Sequence, residues 1–150
     1  MDLKSKVVSV NNFISLEECR EWIKKAPKNG ETWDERTITI TSDPITQKVQ
    51  SYWRDYFKDN SLTITQSQIQ LWPVNSFSEL HIHDTNNREG TLWNSMLYLN
   101  DNYLGGEFYT NETVIKPKPG MLTFFNGREV HHGVKPVSWS NRYTLIFWFS

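Results

Sequence analysis

Ser67-Gln68-Ile69-Gln70-Leu71-Trp72 alternates polar and apolar side chains and marks where the chain passes from helical to strand periodicity. Period two sends successive side chains to opposite faces of a strand, so one set can enter a core. Upstream, Thr37-Ile38-Thr39-Ile40-Thr41 alternates in the same way. Downstream, Leu92 to Leu99, Phe108-Tyr109, Thr113 to Ile115, Leu122 to Phe125, Gly133 to Val137 and Tyr143 to Phe149 are short β-rich runs. Turn formers separate them at Asp84 to Gly90, Asn100 to Gly106, Pro117 to Gly120, Asn126-Gly127 and Ser138 to Asn141. The pattern predicts about seven or eight antiparallel strands in a sandwich, jelly roll or barrel.

The front of the chain reads differently. Val7-Val8-Ser9-Val10 predicts a strand. Ser15 followed three residues later by Glu18 has the form of a capping box. Leu16, Cys19, Trp22 and Ile23 then recur at helical spacing until Pro27 and Gly30. A second helix is expected from Asp43 as N-cap and Pro44 at the first helical position, with Ile45, Val49, Tyr52, Trp53 and Phe57 as its apolar stripe. There are no internal repeats or Pro/Gly/Ser-rich linkers, so residues 1–150 are expected to form one domain, with a helical front at 1–60 and a strand-rich core at 61–150.

Composition narrows the function. The 150 residues carry 16 Lys+Arg against 17 Asp+Glu, a formal net charge of -1. This balance gives no support to a nucleic-acid partner or an anionic membrane surface. Aromatic residues make up 14% of the chain, seven of them Trp, which argues against intrinsic disorder. The lone cysteine, Cys19, excludes an intrachain disulfide and any cysteine-rich zinc site. No run approaches the ~18 apolar residues of a membrane span, and the opening MDLKSKVVSVNN lacks the apolar stretch of a secretory signal. A soluble, cytoplasmic protein is expected.

The four histidines fall in two pairs, His81 with His83 and His131 with His132. On a strand, His81 and His83 share a face, whereas only one of His131 and His132 can face the interior. Asp84 follows the first pair directly. Two histidines and one carboxylate on one face, with open positions beside them, make the facial triad of non-haem Fe(II) oxygenases. Three protein ligands hold the metal, the carboxylate offsets part of its charge, and the open positions receive co-substrate and O₂.

The flanking residues add to this. Tyr98-Leu99-Asn100, Gly105-Gly106-Glu107, Pro119-Gly120 running to Phe125, His132-Gly133-Val134-Lys135-Pro136-Val137, and Asn141-Arg142-Tyr143 before a strand containing Trp148 occur in that order. Asn12-Phe13-Ile14-Ser15-Leu16-Glu17-Glu18-Cys19 supplies a strand-to-helix junction at the front. Over residues 7 to 149 this order resembles the 2-oxoglutarate/Fe(II)-dependent dioxygenases, in their prolyl 4-hydroxylase-like branch. The resemblance implies a mainly β fold, a double-stranded β-helix (a cupin-like jelly roll) with N-terminal helices packed on its major sheet.

It also implies roles. His132 would be the distal iron ligand, with His131 facing away. Arg142, ten residues on, would pair with the distal carboxylate of 2-oxoglutarate, a charge-assisted bidentate contact suited to a guanidinium. Tyr98 would assist at the same carboxylate. Trp72 stands where relatives often have a pocket tyrosine and is read as core. Gly105-Gly106 is read as a tight turn or bulge. The family pattern H-x-D is not matched directly, because the sequence reads His81-Ile82-His83-Asp84. Strand parity favours His83 as the partner of His81; charge compensation and family habit favour Asp84, brought inward by a bulge after His83. The triad is taken as His81, Asp84 and His132, with His83 as the alternative to Asp84.

The implied activity is hydroxylation of a C–H bond, with a peptidyl proline as the first candidate. Fe(II) is the cofactor and 2-oxoglutarate the co-substrate, converted to succinate and CO₂, and ascorbate is admitted as an accessory reductant. The partner is a peptide or small-molecule substrate, held by loops such as Lys28 to Arg36 and Asp84 to Gly90. The alternatives are a nucleobase- or nucleotide-directed oxygenase, and a non-catalytic jelly-roll binding module with a vestigial metal site. Arg142 discriminates against the second, since a structural barrel has no need of an inward arginine at that spacing.

Overall fold

The computed structural model describes residues 7–40, 44–82 and 93–150. In chain order the elements are β1 (Val7–Val10), α1 (Leu16–Lys25), a 3₁₀ turn (Asp34–Arg36), β2 (Thr37–Thr39), α2 (Pro44–Phe57), β3 (Ile64–Trp72), β4 (Ser78–His81) and β5 (Trp93–Tyr98). They continue with β6 (Leu104–Gly105), β7 (Phe108–Thr110), β8 (Val114–Ile115), β9 (Leu122–Asn126), β10 (His132–Val134), β11 (Val137–Ser138) and β12 (Arg142–Phe149).

Local chemistry sets the helix ends. The Ser15 hydroxyl accepts from the Glu18 amide at 3.1 Å, and the Glu18 carboxylate accepts from the Ser15 amide at 3.3 Å. This reciprocal cap satisfies two otherwise orphaned donors. Glu17 and Glu18 in the first turn and Lys24 and Lys25 in the last complement the helix dipole. Pro44 opens α2, where its missing N–H costs nothing; the expected cap Asp43 lies outside the described residues. Leu16 is exposed rather than part of the apolar stripe, because the stripe narrows to Cys19, Trp22 and Ile23.

Six strands form a sheet in the order β1-β9-β5-β12-β3-β2, and four form a second in the order β4-β10-β7-β8. Every pairing is antiparallel. The architecture is a mainly β double-stranded β-helix. Parity along the six-stranded sheet sorts two cores. Leu71, Leu145, Phe147, Leu97, Leu122 and Phe124 cluster with Ile45, Val49 and Trp53 of α2 and Cys19 of α1. Trp53 is fully buried, donates from Nε1 to the Ser95 hydroxyl at 2.9 Å and lies 4.9 Å from the Phe124 ring. The alternate set, Met96, Tyr98, Phe125, Ile146 and Trp148, clusters with Phe108 of the four-stranded sheet. With cores on both faces, β12 is buried along its whole length.

The run Gly133 to Val137, expected as one strand, is broken. β10 ends at Val134 and β11 joins β6 in a separate two-stranded ribbon. Pro136 has no amide to continue a ladder. Among the described residues, no helix is long and apolar enough to cross a membrane.

Candidate active site

β4 and β10 place His81 and His132 directly opposite each other, with ring centroids 4.4 Å apart. His132 is buried, while His81 and the neighbouring His131 are exposed. This settles the parity of the second pair: His132 turns inward and His131 outward. Phe125 and Phe108 flank the His132 ring at 4.7 and 5.8 Å. The β4–β10 register shifts between His132 and Val134, where Ser78 opposes Val134 and His81 opposes His132. Three residue steps on β4 thus match two on β10, a bulge beside the histidine pair.

Each imidazole is fixed by its own backbone. His132 Nδ1 lies 2.7 Å from the Val130 carbonyl and His81 Nδ1 lies 2.8 Å from the Glu79 carbonyl. A carbonyl oxygen only accepts, so each Nδ1 carries the proton and donates it. An imidazole that donates from Nδ1 to a carbonyl is oriented to ligate a metal through Nε2, as metal-ligating histidines are. Among the described residues no group of three His, Cys, Asp or Glu side chains is placed to hold a metal ion. Asp84 and its alternative His83 lie outside the described residues, as does the loop from Asp84 to Gly90.

Both histidines line a cavity of about 350 Å³, whose wall includes Trp33, Arg36, Gln70 and Trp72. Trp72 is therefore not a core residue, as its sequence context suggested. Its place on the inner face of β3 puts its ring against the cavity and within 5.2 Å of the Arg142 Cζ. Trp33, from the loop before β2, meets Trp72 edge-on at 5.8 Å.

Arg142 is fully buried at the start of β12. Its Nε donates to the Gly106 carbonyl at 3.0 Å, and the Tyr98 ring lies 5.3 Å from Cζ. Neither terminal guanidinium nitrogen has a hydrogen-bond partner, and neither has the buried hydroxyl of Tyr98 or of Tyr103. Gly105 and Gly106 both have φ +69°. A Cβ on Gly106 would sit 2.7 Å from the Tyr103 ring and 3.2 Å from Arg142 Cδ, so the turn requires glycine on two grounds. Burial raises the Tyr98 and Tyr103 hydroxyls above the usual phenol range, while the nearby Arg142 charge and the approach of its N–H groups to both phenol oxygens, beyond full hydrogen-bond distance, pull both the other way. Both stay protonated near neutral pH and remain donors. Tyr103 was not singled out from the sequence, because it sits in a turn between Asn100 and Gly106.

A buried guanidinium with unpartnered nitrogens calls for an anion. The sequence model of the 2OG-Fe(II) oxygenase superfamily matches residues 54–150, well over half the chain. The chain belongs to the 2OG-Fe(II) oxygenase superfamily. Members of this superfamily use Fe(II) and 2-oxoglutarate. Prolyl 3-hydroxylase 2 of Homo sapiens and that of Rattus norvegicus are each 42% identical to it over 66 residues, 39% of this chain and 9% of theirs. The chain thus matches less than a tenth of the length of these relatives. Among solved structures, a viral collagen prolyl hydroxylase from Paramecium bursaria Chlorella virus-1, in a 2OG complex, superposes with a TM-score of 0.79 at 20% identity. It covers 99% of this chain and 98% of its own. A Pseudomonas putida prolyl-4-hydroxylase gives 0.71 at 17% identity, over 97% and 92%. These likenesses are ones of fold. For this superfamily member, the donor chemistry fits both groups: two facing imidazoles whose Nδ1 atoms donate to backbone carbonyls for a divalent metal, and orphaned N–H and O–H donors for a carboxylate.

Proposed function

We propose that the protein is a 2-oxoglutarate- and Fe(II)-dependent dioxygenase that hydroxylates a peptidyl proline. The observation that carries the reading is Arg142: fully buried, anchored through Nε, with both terminal nitrogens unpartnered beside two protonated phenols. His81 and His132 would hold Fe(II) through Nε2, with Asp84 as third ligand and His83 as the alternative. Arg142 and Tyr98 would hold the distal carboxylate of 2-oxoglutarate. When bound, the metal and co-substrate supply O₂ activation, with succinate and CO₂ as products.

The protein's own residues orient and exclude. The carbonyls of Val130 and Glu79 hold both imidazole tautomers. Phe108 and Phe125 fix the His132 ring plane and keep water from its buried side. The Trp72 and Tyr98 rings, 5.2 and 5.3 Å from its Cζ, shield the buried Arg142 charge from bulk water. Trp33 and Phe77 give the cavity mouth exposed aromatic surface that suits a proline ring. The prolyl hydroxylase names of the sequence relatives and fold neighbours support that substrate class. The reading takes residues 1–150 as one catalytic domain in the cytoplasm, its lone Cys19 a buried free thiol.

The test is 2-oxoglutarate turnover with Fe(II), followed as succinate release, together with oxygen incorporation into proline-rich peptides by mass spectrometry. Turnover by the wild type, lost in Arg142→Ala and His132→Ala, supports the reading. Turnover that survives both changes refutes it.

A further inference from the structure

We propose that Tyr103 is a second phenol donor to the distal carboxylate of the co-substrate, making the site selective for a dicarboxylate. This rests on the reading of Arg142 given above; Trp72, which lines the cavity, lies against its guanidinium. The argument is a count of donors. Among the described residues, five buried donor atoms lie without partners; Thr144 Oγ1 is one, and the other four belong to Arg142 and the two phenols its charge acts on: Arg142 Nη1, Arg142 Nη2, Tyr98 Oη and Tyr103 Oη. An ionised carboxylate has two oxygens and about four lone-pair sites. One inserted carboxylate thus satisfies a set whose members, left alone, each carry a desolvation penalty. A neutral or single-acceptor ligand leaves at least two of them stranded.

Tyr103 is held for this. It is 8% exposed, and its ring abuts Gly106, the residue whose carbonyl accepts from Arg142 Nε. The absence of a Cβ at Gly106 lets phenol and guanidinium approach the same backbone position. The Arg142 charge acts on the Tyr103 hydroxyl directly, and Tyr98 is also within electrostatic reach of it. Packing alone would be served equally by phenylalanine, which buries no orphaned oxygen.

The decisive measurement is anaerobic calorimetric titration of the Fe(II)-loaded protein with two ligands. One is 2-oxoglutarate; the other is 2-oxobutanoate, which keeps the keto acid end and lacks the distal carboxylate. Tyr103→Phe should weaken 2-oxoglutarate roughly ten-fold or more, the loss of a hydrogen bond to a charged group, and leave 2-oxobutanoate unchanged. An unchanged 2-oxoglutarate affinity, or equal losses for both ligands, overturns the inference. In that event Arg142→Ala still weakening 2-oxoglutarate leaves the functional reading standing, whereas a wild type that binds no 2-oxoglutarate ends both. A second readout needs no variant. In wild-type protein loaded with Zn(II), the Tyr103 Cζ resonance should move with 2-oxoglutarate and not with 2-oxobutanoate; stillness with both overturns the inference.

Discussion

Trp72 and Arg142 are direct cross-strand partners on β3 and β12, and the indole rests over the guanidinium with its centroid 5.2 Å from Cζ. Together with the Nε bond to Gly106, this contact fixes where the positive charge points. Cation–π contacts of this kind contribute about 0.5–2 kcal/mol. Trp72→Ala should therefore weaken 2-oxoglutarate binding by roughly two- to thirty-fold, Trp72→Phe by less, and iron binding should be unaffected. Anaerobic titrations of the two variants check this. An unaltered affinity in Trp72→Ala would mean that the Gly106 carbonyl alone orients the arginine.

The histidine pair makes a sharper prediction. His132→Ala and His81→Ala should each abolish tight Fe(II) binding, because each removes an Nε2 donor. His131→Ala should be silent, since that side chain is exposed on the opposite face. For the third ligand, Asp84→Ala should cut iron affinity and 2-oxoglutarate turnover together, with His83→Ala milder. The reverse order would assign a three-histidine shell. Equal, small effects from both would remove the first histidine segment from the site.

Much of this was legible in sequence where local chemistry decides the outcome. The Ser15–Glu18 cap, the Pro44 helix start and the period-two runs are signals carried by a few neighbouring residues; strand parity allowed only one of His131 and His132 to face inward, and the family resemblance picked His132. What escaped depended on partners distant in sequence. Trp72 read as core because an aromatic on a buried strand usually is, and only its pairing with Arg142 places it on the cavity. Tyr103 carries no periodic signal, since it acquires its surroundings from Gly106 and β12. β6 and β11 are two-residue strands that exist only through each other. The bulge expected after His83 falls outside the described residues, whereas the one found lies earlier, between Ser78 and His81 opposite Gly133, a glycine that read from sequence only as part of a strand.

That bulge leads to a prediction at Gly133. A Cβ there would meet the Ser78 carbonyl at 2.5 Å and the Tyr109 ring at 2.8 Å, so β4 and β7 both press on this position. Gly133→Ala must push β4 away from β10 next to the His81–His132 pair. Overpacking of this sort costs about 1–3 kcal/mol. The expected result is a lower thermal midpoint and a loss of iron affinity larger than any distant variant of equal stability shows. A variant with the lower midpoint and full iron affinity would show that the bulge tolerates the shift.

Cys19 predicts how the fold responds to alkali. It is 1% exposed beneath α1 and packs in the core shared by the helices and the six-stranded sheet. Burial, with Glu18 nearby adding to it, pushes its thiol from the ordinary value of 9.0 up to about 11. The folded state therefore holds the thiol proton more tightly than the unfolded chain does. That difference stabilises the fold fully below pH 9 and is lost as the pH rises through 11, because the unfolded chain gains from ionising first. The shift is equivalent to about 2–3 kcal/mol. Denaturant midpoints should fall between pH 9 and 11 more steeply in the wild type than in Cys19→Ala; Tyr98 and Tyr103 contribute equally to both proteins and cancel in the difference. At pH 7 the thiolate fraction is on the order of one in ten thousand, so a thiol reagent should label Cys19 only as fast as the protein opens. Labelling that outpaces unfolding, or parallel pH slopes for the two proteins, would place the thiol at the surface instead of under α1.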